Sequence, residues 1–153
     1  MKEVTLAAAA VFVVLLGSQT QAEPDRHFRA RIELIQTGPP APDARCPAGT
    51  VLVSFTGIGN VTRAGRVSAE ASHCIVDDPA VEPFTSGEMT LSSRRGDLFI
   101  EYEGSDAAGD LSGTFVITGG TGDFAGATGG GTLRGTAGAA GGRAILEGTI
   151  SVP

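Results

Sequence analysis

The residues able to do chemistry in this chain fall into a few small groups. One is the glycine-rich run Thr118-Gly119-Gly120-Thr121-Gly122-Asp123-Phe124-Ala125-Gly126, in the last third of the sequence. Such a run can cradle a phosphate, hold calcium or bend a sheet. A dinucleotide-binding turn needs G-x-G-x-x-G between a strand and a helix. Here Gly120 and Gly122 are followed by Gly126, one place late, and no amphipathic helix comes after. A calcium nonapeptide needs G-G-x-G-x-D and repetition, but Asp123 comes one place early and the motif does not recur. The remaining reading is a wide turn or bulge between two strands. There Gly119, Gly120, Gly122 and Gly126 permit positive φ and close backbone approach. Phe124 folds back as an apolar plug, and Thr118, Thr121 and Asp123 satisfy backbone donors nearby.

The second group is Cys46 and Cys74. In an oxidising compartment an even pair reads as a disulfide, with two free buried thiols as the alternative. If the segments around residues 50–56 and 62–75 form a hairpin, opposed residues have a constant sum of numbers. Cys46 and Cys74 would then face each other around a centre at Asn60, at the end of a turn over residues 57–60. His73 lies beside Cys74, but two cysteines and one histidine fall short of the four ligands of a structural zinc site. No metal and no cofactor are expected.

The third group is His73 and Tyr102, expected on the inner faces of two strands, joined by Thr114 or Thr118 if their strand faces that way. A single histidine and tyrosine on an apolar lining are either satisfied core residues or the groups that orient a small apolar ligand at the mouth of a barrel. Glu101 and Glu103 share a strand face, but it is the outer one. Asp77-Asp78-Pro79 reads as a turn, and no Ser/His/Asp set can be assembled.

Strands must position these residues. Short runs rich in Val, Ile, Thr and Phe alternate apolar and polar positions between glycines, and no stretch after the first residues has a sustained helical period. Eight runs stand out: 28–36, 50–56, 62–75, 87–92, 97–103, 111–118, 128–136 and 143–152. Leu98, Ile100 and Tyr102 alternate with Phe99, Glu101 and Glu103, so the carboxylate-free side faces inward. Phe28, Ala30, Ile32 and Leu34 do the same, as do Val67, Ala69, Ala71 and His73, and Ala144, Leu146 and Ile150. The connections are tight except for the Pro-rich loop 37–49, which must leave the sheet. One-sided alternation over tightly joined neighbours predicts an all-β fold: an eight-stranded antiparallel β-barrel, with a two-sheet sandwich as the competitor.

An apolar run of 11 residues, 6–16, precedes this pattern. It is too short to span a bilayer, which takes about 20 residues. With Thr20-Gln21-Ala22 behind it, it reads as a signal peptide helix over residues 1–22, leaving one domain over 23–153. Secreted or periplasmic localisation follows. Losing Lys2 and Glu3 from 11 basic and 17 acidic residues leaves 10 arginines against 16 carboxylates, a net charge of −6. Arg94 and Arg95 are the only adjacent cations and read as a hairpin tip. Neither nucleic acid nor an anionic membrane is an expected partner. Arginine in place of lysine and abundant Ala and Gly suit a GC-rich bacterium, where the sequon Asn60-Val61-Thr62 would be idle.

The segment Val116-Ile117-Thr118-Gly119-Gly120-Thr121-Gly122-Asp123-Phe124-Ala125-Gly126-Ala127-Thr128-Gly129 resembles a signature of the allene oxide cyclase barrel-like and dirigent-like proteins. In these a strand runs into a G-G-[ST]-G-x-F-x-x-x-x-G turn. Residues 57–66 resemble a further segment of small secreted bacterial members. The resemblance spans residues 50–152 and is firmest over 115–130. It implies an eight-stranded antiparallel barrel and a homo-oligomer, since several members are trimers. The plant cyclases of this group act on an epoxide fatty acid in an apolar pocket, and dirigent proteins steer radical coupling with polar pocket groups. No catalytic residue carries over. The resulting expectation is a non-enzymatic module, structural or holding a small hydrophobic ligand in the barrel. The alternative is a cyclase- or dirigent-like enzyme acting on a reactive apolar substrate by confinement.

Overall fold

The computed structural model describes residues 25–76 and 82–153. The expected signal peptide, its cleavage site and the Asp77-Asp78-Pro79 turn lie outside the described residues. Eight strands follow in order: β1 (Arg26–Gln36), β2 (Thr50–Val61), β3 (Gly65–Val76), β4 (Glu82–Ser93), β5 (Gly96–Ala107), β6 (Asp110–Gly120), β7 (Thr128–Gly138) and β8 (Gly141–Ser151). Each pairs antiparallel with its neighbours, and β8 returns to β1, so the sheet closes into a barrel. Closure leaves no strand edge unpaired, which settles the choice against two open layers.

The alternation read from the sequence sets the two faces. Phe28, Ala30 and Ile32 of β1, Leu98, Ile100 and Tyr102 of β5, and Leu146 and Ile150 of β8 are buried in one core. Phe115 and Ile117 are the inward residues of β6. Thr114 and Thr118 therefore stand on its exposed face and do not join the lining.

Two boundaries differ most from those expected. Residues 57–60 do not turn. They continue β2, and the chain reverses at Thr62-Arg63-Ala64, with Arg63 at φ 70° and Gly65 at φ 74°. The reason is the proximity of β1. A Cβ on Gly57 would sit 2.0 Å from the Glu33 carbonyl oxygen, and one on Gly59 2.3 Å from that of Arg31. These glycines admit a neighbouring strand and do not mark a bend. Asn60 accordingly lies within a strand. The second difference is that β4 begins at Glu82, and the ladder breaks between Phe84 and Gly87 in a bulge.

The hairpin register changes with the turn. Leu52 pairs with Cys74, and Cys46 precedes β2 altogether. The disulfide nevertheless forms, with the two Cα atoms 5.5 Å apart. The loop 37–49 folds back through an Ala41–Leu52 bridge and brings Cys46 to the outer side of β3. Beside it Arg45 reaches Glu88 and donates to the Ser72 hydroxyl at 3.0 Å.

One end of the barrel is sealed by the glycine-rich run. Gly122–Phe124 form a 3₁₀ turn between β6 and β7, and Phe124 is buried. Thr121 accepts from the Asp97 amide at 2.9 Å, and Asp123 takes the Arg95 guanidinium at 2.8 Å. Arg95 also donates to the Arg63 carbonyl. The donors satisfied here thus belong to the β4–β5 turn and the start of β5 and not, as expected, to the run itself, while Thr118 is itself a donor, to the Phe99 carbonyl oxygen at 3.3 Å. These contacts tie the β2–β3, β4–β5 and β6–β7 connections together.

Candidate functional site

The opposite end holds a cavity of about 190 Å³. Its walls differ in chemistry. Phe55 on β2, His73 on β3, Phe84 on β4 and Tyr102 on β5 line one side, while Ala137, Gly142 and Ala144 of β7 and β8 line the other. The space exists because bulky rings on one arc of the barrel meet glycine and alanine on the other. Leu34, Met89 and Leu133 are among the further apolar residues of the lining. The volume somewhat exceeds the roughly 150 Å³ of an apolar cavity that admits benzene.

The rings form a continuous row. Phe55 and His73 have centroids 5.2 Å apart, His73 and Phe84 5.0 Å, and Phe84 and Tyr102 6.0 Å, all tilted or edge-on. Such spacing suits favourable aromatic packing. The β4 bulge makes room for it. On β3 the pairing with β4 skips from Ser72 to Cys74, leaving His73 opposed to Val53 of β2 but to no residue of β4. Ser86 adopts a positive φ of 51°, and a Cβ on Gly87 would lie 2.7 Å from the Tyr102 ring. Bulges of this kind re-aim side chains beside functional sites.

His73 and Tyr102 touch directly. His73 Nδ1 is 2.9 Å from the Tyr102 hydroxyl, which donates to the Ser72 carbonyl oxygen at 3.2 Å. Burial lowers the His73 pKa from 6.5 to about 4, so the ring is neutral at ordinary pH. Burial also pushes the Tyr102 phenol well above its usual value, against a smaller opposing pull from Arg45. The pair is thus a neutral hydrogen-bonding couple on an apolar wall.

The remaining polar lining residues stand at the rim and are engaged. The Gln36 amide donates to the Gly38 carbonyl, Asp106 accepts the Gly109 amide at 2.7 Å, and Arg143 pairs with Glu33 at 2.9 Å. Sequence reasoning identified His73 and Tyr102 but missed the rings of Phe55 and Phe84. Phe55 was visible as an apolar residue of a strand, whereas Phe84 precedes the bulge and lay outside the expected run. Glu101 and Glu103 are exposed on the outer face. Among the described residues no group of three His, Cys, Asp or Glu is placed to hold a metal ion.

No family model matches the sequence, and no curated protein does. Among solved structures, the chain is similar to a pterocarpan synthase dirigent protein, GePTS1. The match has a TM-score of 0.55 and 15% identity, and covers 95% of this chain and 97% of that one. It is also similar to a pyocyanin demethylase, at a TM-score of 0.49 and 15% identity, over 77% of this chain and 97% of that one. At such identity the likeness is one of fold alone, and the fold shared with GePTS1 is the barrel described above.

Proposed function

We propose that this protein is an exported barrel that binds a small, largely apolar molecule in the cavity beneath Tyr102 and His73, without transforming it. The carrying observation is the cavity itself. A purely structural barrel has no need to set four rings against a wall of glycine and alanine. Ligand sites are typically apolar with a few fixed polar groups, and His73 and Tyr102 supply that pair. The disulfide is consistent with an oxidising compartment, and no helix among the described residues is long and apolar enough to cross a membrane.

The rival reading is a cyclase- or dirigent-like enzyme that shapes a reactive apolar substrate by confinement. Its support is the dirigent-like fold. Against it, among the described residues every buried side chain is apolar or Tyr102, and none is a carboxylate or arginine that could stabilise developing charge.

Native mass spectrometry of protein purified from its own host tests the reading. A co-purifying small molecule, lost in an Ala137→Phe variant that fills the mouth, is the expected result. The same spectrum counts subunits and so tests the trimer expected from the resemblance. An empty barrel that also fails to take up small aromatic probes would overturn the binding reading. A substrate converted on incubation would favour the rival.

A further inference from the structure

The two contacts of the Tyr102 hydroxyl cannot be satisfied by either histidine tautomer equally. The Ser72 carbonyl can only accept, so the 3.2 Å contact uses the single hydroxyl proton of Tyr102. That proton is then not available to His73. The 2.9 Å contact to His73 Nδ1 is a hydrogen bond only if Nδ1 carries a proton and donates to the phenolic oxygen. Burial keeps the imidazole neutral, and a neutral imidazole has one proton. Nε2 is therefore an acceptor, and it is the ring nitrogen left to meet a molecule in the cavity.

No other polar lining side chain competes at depth. Gln36, Asp106 and Arg143 stand at the rim with partners of their own. The rest of the described lining is apolar or glycine.

We infer that the cavity selects for a hydrogen-bond donor: its ligand has a flat apolar body, laid between the ring wall and the Ala137–Ala144 wall, with a hydroxyl or N–H aimed at His73 Nε2. An isostere that can only accept would set its lone pair against that of Nε2. The inference rests on the binding reading above, since it names which molecules the same site takes.

Indole and benzofuran are matched probes. They share a bicyclic outline, and only indole carries an N–H. Titrating each into ¹⁵N-labelled protein gives the affinity and, from the amides that shift, the location. Indole should bind about tenfold more tightly, the worth of one hydrogen bond made against one forgone. In Tyr102→Phe the proton on Nδ1 loses its acceptor, the imidazole can present either nitrogen, and the preference should shrink towards parity. The ring ¹⁵N shifts of His73 in the wild-type protein report the tautomer directly, whether or not that variant folds. A protonated Nε2, equal affinity for both probes, or an undiminished preference in Tyr102→Phe overturns the inference and leaves the binding reading standing. Failure of both probes to bind overturns both.

Discussion

Lowering the pH should destabilise this barrel through one identifiable group. His73 titrates at about 4 when folded and near 6.5 when the chain is unfolded. Between those values the unfolded chain binds a proton that the folded one refuses. Stability is therefore full above about pH 6.5 and declines as the pH falls towards 4. Lowering the pKa from 6.5 to about 4 amounts to about 3 kcal/mol across that window. The cause is desolvation: Phe55 and Phe84 cover the ring, and Tyr102 is its hydrogen-bonding neighbour. The matched control is His73→Phe, which keeps a ring between Phe55 and Phe84 but cannot titrate. Urea unfolding followed by circular dichroism, from about pH 7 to about pH 4, gives the two stability curves. The variant loses the bond to Tyr102 at every pH, so the slopes are compared and not the absolute values. Carboxylates titrate in both proteins and cancel. The wild type should lose about 3 kcal/mol more than the variant across the window. Parallel curves, or an NMR titration of His73 with its midpoint at the ordinary value, would refute the desolvation argument.

The remaining predictions concern the parts that hold this wall in place. Replacing Cys74 by Ser opens a loop of 28 positions and should cost roughly 3–4 kcal/mol on the chain-entropy account. A loss below about 1 kcal/mol in urea unfolding would mean that the Arg45 contacts alone hold the loop. Phe124→Ala removes the buried plug of the sealed end and should cost about 3–5 kcal/mol; a near-neutral result would place Phe124 outside the core. Gly87→Ala sets a methyl against both the Tyr102 carbonyl oxygen, 2.4 Å away, and the Tyr102 ring, 2.7 Å away, and should cost about 1–3 kcal/mol. It should also displace the ring, which tyrosine fluorescence reports cleanly because Tyr102 is the sole tyrosine and the chain has no tryptophan. Unchanged emission would mean that the bulge does not position Tyr102.

The strands were legible because their alternation has one cause, burial of a single face. Leu98, Ile100 and Tyr102 against Phe99, Glu101 and Glu103 admit only one orientation, and β1, β3 and β8 repeat the argument. Glycine misled where it does two jobs. Near Thr121 it turns the chain, whereas at Gly57 and Gly59 it lets β1 approach, and the letter alone does not distinguish the two. That confusion shifted the β2–β3 register, so the hairpin arithmetic offered for the disulfide fails although the bond exists. Cys46 reaches Cys74 from a loop whose path depends on Ala41 and Arg45, which have no periodic signal. The β4 bulge was hidden for a related reason. An inserted residue breaks the period of two that revealed the other strands, so Phe84 dropped out of its own strand.

The cavity follows from this division of glycine's roles. On β8 the missing side chains are enforced by backbone: a Cβ on Gly141 would lie 2.1 Å from the Leu34 carbonyl oxygen, and one on Gly142 2.1 Å from that of Thr136. These positions cannot be filled by small substitutions without moving a strand. The opposite arc is crowded with rings because β2 to β5 carry Phe55, His73, Phe84 and Tyr102 at the same end. At the other end Phe124 folds inward and the asymmetry disappears. A barrel built of identical alternating strands would fill both ends alike. Here the empty volume is fixed by close strand packing on one side and given its polarity by a bulge on the other, so cavity and hydrogen-bonding pair arise from the same departures from regularity.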